Sequence, residues 1–374
     1  MEQTVIFAHQ NYSALDEFFA QNKIKSIFLV KSASFERFPI CKYFSELKNR
    51  LGIEVVFFND FHPNPDYESV VKGEQLFQQT KCDCIIAIGG GSTIDVAKCI
   101  KLYAALNPAE NFLQQKPIPN SIKLIAAPTT AGTGSEATRY AVIYYNGEKQ
   151  SITNETFIPS QVIFDASFLT TLPEYQRKST MLDALCHSIE SFWSVNSNTE
   201  SKGFSEKAIK MILENMDSYL RNEEHGNYNM LLAANIAGKA INITQTTAGH
   251  AMCYKLTSLY GIAHGHAASL CVSALFDFMP CHTDLCIDAR GKEYLEDMFN
   301  SLARIMDCKN AIEASKKFKH ILERLALGVP SVKEISDFEV LRKSVNPERL
   351  KNNPVRLSEE NIEMLYHQIL EEKE

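Results

Sequence analysis

The sequence predicts an α/β domain built on a parallel sheet over residues 1–174, followed by an all-helical domain over residues 175–374. Three observations carry this expectation. Four short apolar runs in the first half lack strict alternation, as strands covered on both faces do. Amphipathic stretches separate them, which implies crossover helices between parallel strands. After Pro173 the strand-like runs stop, and apolar residues recur at three- and four-residue spacing.

In chain order, KSIFLV (25–30), IEVVFF (53–58), CIIAIGG (84–90) and IKLIAAP (122–128) read as buried strands. Residues 66–80 and 92–106 read as the helices between them. In the second half, 175–196, 200–221, 226–248 and 292–306 read as helices. The composition changes near 170–175, between FDASFLTTLP and EYQRKSTMLDA, which sets the boundary. Beyond residue 330 the chain is polar, and NPERLKNNPVRLSEEN forms a loop into a last helix. There is no internal repeat.

Bulk properties exclude several functions. A chain of 374 residues suits about two domains with a large core. At 45% hydrophobic and 22% charged residues it is ordinary for a soluble globular protein. The net charge of −7 and the lack of a basic run argue against a nucleic-acid partner. No apolar run reaches the ~20 residues that span a bilayer, and MEQTVIFAHQ does not read as a signal peptide. The ten cysteines contain no C-x-x-C pair. They read as reduced thiols of a cytoplasmic protein.

Two loops point to a dinucleotide. Gly89, Gly90, Gly91 and Ser92 follow a strand and open a helix, with Asp95 and Lys98 on its first turns. Glycines there let backbone amides approach a phosphate, and the helix N-terminus adds partial positive charge. The motif matches neither G-x-G-x-x-G nor the P-loop, and a tight strand-to-helix turn needs glycine for backbone reasons too. The second loop, PTTAGTGSEAT (128–138), offers the hydroxyls of Thr129, Thr130, Thr133 and Ser135. Two such loops at the carboxyl ends of parallel strands sit where open α/β sheets bind ligands, which makes the first domain Rossmann-like.

Four residues in the helical half suit a metal. Asp183 and His187 are four apart and share a helix face. An Asp–His hydrogen bond explains such a pair equally well. His250 and His264 are fourteen apart, which on one straight helix would separate them by about 21 Å. If the chain turns at Gly261, between Tyr260 and Ala263, the two rings can converge. Three histidines and one aspartate form a mixed N/O set that suits Fe²⁺ or Zn²⁺ better than Ca²⁺ or Mg²⁺. His264 and His266 diverge on a helix, so only one of them serves.

Taken together, GGGSTIDVAK, PTTAGTGSEAT, the D-x-x-x-H of LDALCHSIES and the GH-x13-H ending in AHG resemble the iron-containing alcohol dehydrogenase family. The agreement runs from KSIFLVKSASF to the NP…LSEENI tail. The resemblance implies an N-terminal dinucleotide-binding domain and an all-α C-terminal domain, the fold shared with dehydroquinate synthase. It places metal and substrate in a cleft between them. It assigns the metal, Fe²⁺ or alternatively Zn²⁺, to Asp183, His187, His250 and His264. The pyrophosphate would lie at Gly90, Gly91, Ser92 and Asp95, the nicotinamide half at Thr129, Thr130, Ser135, Val142 and Lys149, and Asn64 beside the cofactor. A small-molecule aldehyde or alcohol is the expected substrate, and a homodimer the expected assembly.

Two departures from the family pattern matter. Many members carry a proton-relaying histidine where this chain has Tyr254. Tyrosine can donate a proton, but its ordinary pKa near 10 makes it a poorer relay. NAD-selective members carry an aspartate after the second strand. Here Lys31 stands there, within VKSAS, which favours the 2′-phosphate of NADPH.

GHAMCYKLTSLYGIAHGHA, with GSEATRYAV and LDALCHSIESFWSVNSN, further resembles the branch of that family that reduces phosphonoacetaldehyde to 2-hydroxyethylphosphonate. Lys255, Arg139 and His266 are polar insertions suited to a phosphonate. Each has a bland alternative: Arg139 beside Glu136, Lys255 on a solvated face. Generic short-chain aldehydes or diols are the rival substrates. A metal- and NAD-using lyase of the same fold, and a non-catalytic metal-binding protein, are more remote readings.

Overall fold

A computed structural model of the protein describes residues 3–370. It comprises two units. The first consists of the described residues up to Leu172 together with Asn222–Asn235. The second consists of Pro173–Arg221 and the described residues from Ile236 onwards. Asn222–Asn235 lie in the half expected to be a separate helical domain, yet they pack with the first unit.

The first unit is built on a six-stranded sheet. Its strands are β1 (Thr4–Phe7), β2 (Ser26–Lys31), β3 (Glu54–Phe58), β4 (Cys84–Gly89), β5 (Lys123–Pro128) and, after an antiparallel pair β6 (Tyr140–Tyr145) and β7 (Glu148–Thr153), β8 (Gln161–Phe164). The order is β1-β8-β5-β4-β2-β3, and every pairing in this sheet is parallel. The four strands read from sequence are β2 to β5. Their side chains alternate between two cores. Phe28, Val30, Ile85, Ala87, Leu124 and Ala126 enter one cluster. Ile27, Leu29, Ile86, Ile88, Ile125 and Ala127 enter the other. Both faces are therefore covered, which explains why these strands are apolar without alternation. Tyr67–Thr80 and Gly91–Tyr103 cover the first face, and Ser13–Gln21 and Ile40–Leu51 the second.

The sequence reading passed over β1, β8 and the β6–β7 hairpin. β1 and β8 have four residues each. The hairpin had a legible signal in Asn146–Gly147, whose positive φ values of 52° and 77° suit a tight two-residue turn.

The second unit is organised around one helix, Glu174–Trp193, in which every residue from Met181 to Trp193 is buried. Thr199–Leu220 and His264–Phe278 pack against it. A helix buried all round is ordinarily apolar. This one carries Asp183, His187 and Glu190 at i, i+4 and i+7, and buried charges need partners. No helix among the described residues is long and apolar enough to cross a membrane. All ten cysteines are free thiols.

Candidate functional site

The second unit gathers three imidazoles around one carboxylate oxygen. Glu174–Trp193 supplies Asp183 and His187, and Ala248–Tyr260 supplies His250 from its first turn. Gly261 then ends that helix in the left-handed region at φ 68°, and the next helix begins at His264. The turn expected from Gly261 is present, and it lets His264 approach His250, with ring centroids 5.3 Å apart. The Nε2 atoms of His187, His250 and His264 lie 3.9, 3.4 and 3.9 Å from Asp183 Oδ1. Four ligands about 2.1 Å from one tetrahedral ion would be roughly 3.4 Å apart. Ligand atoms of Asp183, His187 and His250 fall within 4.8 Å of one another, and His264, more exposed, stands outside that triad.

The donor set fits a divalent ion. Asp183 Oδ1 and His250 Nε2 are buried and make no hydrogen bond. Left bare, such atoms cost on the order of 1–3 kcal/mol each. A cation shared between them removes that cost. Burial alone would raise the Asp183 carboxyl. The positive fields of His187, His250 and His264 outweigh it and hold the group well below the ordinary carboxylate range.

Glu190 is the residue the sequence reading missed. It is fully buried, and its Oε2 receives the Nδ1 proton of His250. Its Oε1 accepts from the Thr247 amide at 2.9 Å, the Thr247 hydroxyl at 2.7 Å and the His250 amide at 3.2 Å. Burial works against the His250 cation, but the Glu190 and Asp183 charges raise its pKa to about 9. By accepting the Nδ1 proton, Glu190 leaves Nε2 as the nitrogen that faces Asp183, as carboxylates behind ligating histidines do. Its seven-residue spacing from Asp183 was the available signal. Cys253 plays a similar part beside His264: its thiol donates to the His250 carbonyl at 3.4 Å, and its sulfur lies 3.6 Å from His264 Nδ1.

Glu190→Gln is expected to weaken metal affinity 10- to 100-fold, the usual cost of losing such a partner. Competition with a chromophoric chelator measures it, and an affinity within twofold of wild type would refute this role.

The three residues read as substrate groups separate. Tyr254 stacks on His264, with ring centroids 5.6 Å apart and planes 14° from parallel. Burial pushes its hydroxyl far above the ordinary tyrosine range. Lys255, next along the helix, is half-exposed and forms no ion pair among the described residues. His266 corrects the expectation. Its Nε2–H donates to the Gly328 carbonyl at 3.0 Å, and Nδ1 accepts from the Tyr175 hydroxyl at 3.1 Å. Tyr175 in turn accepts the Ala263 amide at 2.8 Å, next to His264. His266 thus braces the turn. It also lines a cavity of about 1060 Å³ that none of the four candidate ligands borders.

In the first unit, β4 and β5 end side by side, with Gly89 opposite Pro128. The two hydroxyl- and glycine-rich loops are therefore neighbours, and the Thr129 amide donates to the Gly89 carbonyl at 3.0 Å. Gly90 caps the Gly91–Tyr103 helix. A Cβ on Gly90 would sit 3.5 Å from Thr130, and one on Gly91 3.0 Å from Thr133. The Asn64 amide donates to Ser92 Oγ at 3.3 Å. Asp95 joins two expected residues: its carboxylate accepts from Ser135 Oγ at 2.5 Å and from the Val142 amide at 3.0 Å. Burial raises the Asp95 carboxyl, while Lys98 and, more weakly, Lys149 pull it down. Arg139, in the same unit, pairs with Glu155 at 2.7 Å. Lys31 pairs with Glu36 and lies near the rings of Phe35 and Phe57.

A candidate metal-ligand constellation on a helical unit, with paired glycine- and threonine-rich loops at the end of a parallel sheet, suits an enzyme that uses a metal and a dinucleotide. Family comparison agrees. The description "iron-containing alcohol dehydrogenase" matches residues 2–166, and that family's C-terminal domain matches residues 178–370. The chain belongs to the iron-containing alcohol dehydrogenase family and is an NAD(P)-dependent, metal-containing alcohol dehydrogenase. The phosphonoacetaldehyde reductase of Streptomyces viridochromogenes is 27% identical, over 82% of this chain and 80% of that protein. Aldehyde-alcohol dehydrogenase 2 of Entamoeba histolytica is 32% identical over 60% of this chain, which spans only 28% of that longer protein. The structure of sulfoacetaldehyde reductase from Bifidobacterium kashiwanohense, in complex with NAD+, superimposes with a TM-score of 0.85 at 24% identity, covering 98% of this chain and 96% of that one.

Proposed function

We propose that this protein reduces phosphonoacetaldehyde to 2-hydroxyethylphosphonate with NADPH, using Fe²⁺, or Zn²⁺ in its place, held by Asp183, His187, His250 and His264. The observation that carries the metal assignment is the convergence of three Nε2 atoms on Asp183 Oδ1, with Oδ1 and His250 Nε2 otherwise unbonded. The ion would polarise the substrate carbonyl and the dinucleotide would supply the hydride. Glu190 keeps His250 oriented. Tyr254 retains its proton across the neutral range, so it serves as a hydrogen-bond donor and not as a relay. Gly90, Gly91, Ser92 and Asp95 would bind the pyrophosphate end, with Asn64 close by. Thr129, Thr130, Ser135, Val142 and Lys149 would hold the nicotinamide half. Ten free thiols support a reducing, cytoplasmic setting.

Lys255 supports the phosphonate reading. It is an ammonium with no carboxylate partner among the described residues, one position beyond a tyrosine stacked on His264. The Streptomyces relative supports it too. Steady-state reduction of phosphonoacetaldehyde, butanal and propanal tests it. Higher kcat/KM for the phosphonate is expected; equal values would show a generic short-chain aldehyde reductase.

The preference for NADPH rests on Lys31, with Ser32 and Ser34 beside it. Glu36 competes for the ammonium of Lys31. Glu36→Gln is therefore expected to raise the NADPH-to-NADH ratio of kcat/KM several-fold, since an exposed pair contributes up to about 1 kcal/mol. An unchanged ratio would remove Lys31 from cofactor selection.

A further inference from the structure

We propose that Arg349 binds the anionic end of the substrate. This rests on the phosphonate reading of the metal site. Of the cations considered from sequence, Arg139 is paired with Glu155 and His266 has both ring nitrogens engaged. Arg349 lies in the polar tail and was not among them. Its guanidinium carbon sits 5.5 Å from the centre of the Tyr254 ring, and His264 stacks on that same ring at 5.6 Å. The guanidinium is thereby within about 11 Å of the His264 ring.

Arg349 is held in place and its charge is uncommitted. Nη1 donates to Thr246 Oγ1 at 2.6 Å. Asn352, three residues on, donates to the Thr246 carbonyl at 3.1 Å, and its own carbonyl accepts the Val195 amide at 3.1 Å. Asn346 caps the short Pro347–Leu350 helix that carries Arg349. These bonds fix the segment against the helix bearing His250 and Tyr254. No carboxylate pairs with Arg349 among the described residues, and four of its five N–H donors are not spent on Thr246. A planar fork matches a phosphonate bidentately, which a neutral aldehyde cannot exploit.

The test compares metal-loaded wild type, Arg349→Met and Arg349→Lys. Two quantities are read: the kcat/KM ratio of phosphonoacetaldehyde to propanal, and inhibition of propanal reduction by methylphosphonate. Arg349→Met is expected to lower the ratio about 30-fold and to weaken inhibition comparably, as loss of a charge-assisted hydrogen bond does. Arg349→Lys should recover part of both, because it keeps the charge and loses the fork. If wild type prefers the phosphonate and both variants keep that preference, Arg349 is overturned and the substrate reading stands. If wild type shows no preference yet methylphosphonate inhibits it in an Arg349-dependent way, the substrate reading fails and the anion site stands. Inhibition that is absent, or equal in all three proteins, overturns Arg349 as the anion-binding residue.

Discussion

Gly265→Ala is expected to abolish metal binding and to destabilise the second unit by about 3 kcal/mol or more. The reason is where a methyl group would go. A Cβ on Gly265 would lie 2.0 Å from the Ser179 carbonyl oxygen, 2.7 Å from Asp183 Cβ and 3.0 Å from the Asp183 amide nitrogen. Two of these are backbone atoms of the Glu174–Trp193 helix, so no rotamer change relieves the overlap. The helices beginning at His264 and at Glu174 must part, and those helices carry His264, Asp183 and His187. Overpacking a core costs 1–3 kcal/mol where side chains can adjust, and more where they cannot. Gly261→Ala is the control. Gly261 has φ 68° and nothing within 4 Å of its would-be Cβ. It should cost only the left-handed backbone penalty of about 1–2 kcal/mol. Urea denaturation with metal analysis of both variants checks the contrast. Retained metal in Gly265→Ala would show that the close approach of these helices is not needed.

Lys98→Met is expected to cost about 3–5 kcal/mol and to weaken dinucleotide binding. Lys98 is completely buried, and its ammonium donates to Ser135 Oγ at 3.1 Å, the Thr138 carbonyl at 2.9 Å and the Tyr140 carbonyl at 2.6 Å. Asp95 lies 3.9 Å away. Removing one partner of a buried charge cluster strands the others, which is the expensive case. Here it strands the loop bearing Ser135 and the start of β6, with Val142. Burial lowers the Lys98 pKa from 10.5 to about 8, with Asp95 and Glu136 opposing it. Between those values the unfolded chain holds a proton that the folded protein lacks. Lys98 therefore adds stability that is complete above about 10.5 and is lost as pH falls through about 8. The stability gap between wild type and Lys98→Met should accordingly widen between pH 7.5 and 9.5. Urea titrations at both values measure it; a gap independent of pH would mean that Lys98 does not titrate in this window.

Much of the architecture was legible because its signals are local. β2 to β5 announced themselves as apolar runs, and the helices of the second half by their periodicity. The candidate metal ligands were legible as a set of types and spacings, and Gly261 supplied the turn that let fourteen residues separate two histidines of one cluster. The glycine- and threonine-rich loops were legible as loops. Their adjacency depended on β4 and β5 being neighbours in the sheet.

Other roles depended on partners remote in the chain. Its seven-residue spacing from Asp183 puts Glu190 on the same helix face, but its role follows from meeting Thr247 and His250, about 60 positions away. His266 looked like a substrate group because histidine is uncommon in an apolar helix, yet Gly328 and Tyr175 take both its nitrogens. Arg139 offered a choice between a substrate anion and nearby Glu136, and the fold instead brings Glu155 within 2.7 Å. Arg349 sat unnoticed in a polar tail until the fold laid it over Tyr254.

By itself, then, the sequence determined strands β2 to β5, the helical character of the second half and a set of side chains of the type that ligates a metal, since period, turn chemistry and side-chain type act over a few residues. Only the tertiary structure decided which charges are consumed by neighbours and which remain for a ligand. That outcome depends on distances between segments far apart in the chain, and a buried or half-buried charge takes whatever partner packing brings within hydrogen-bond reach.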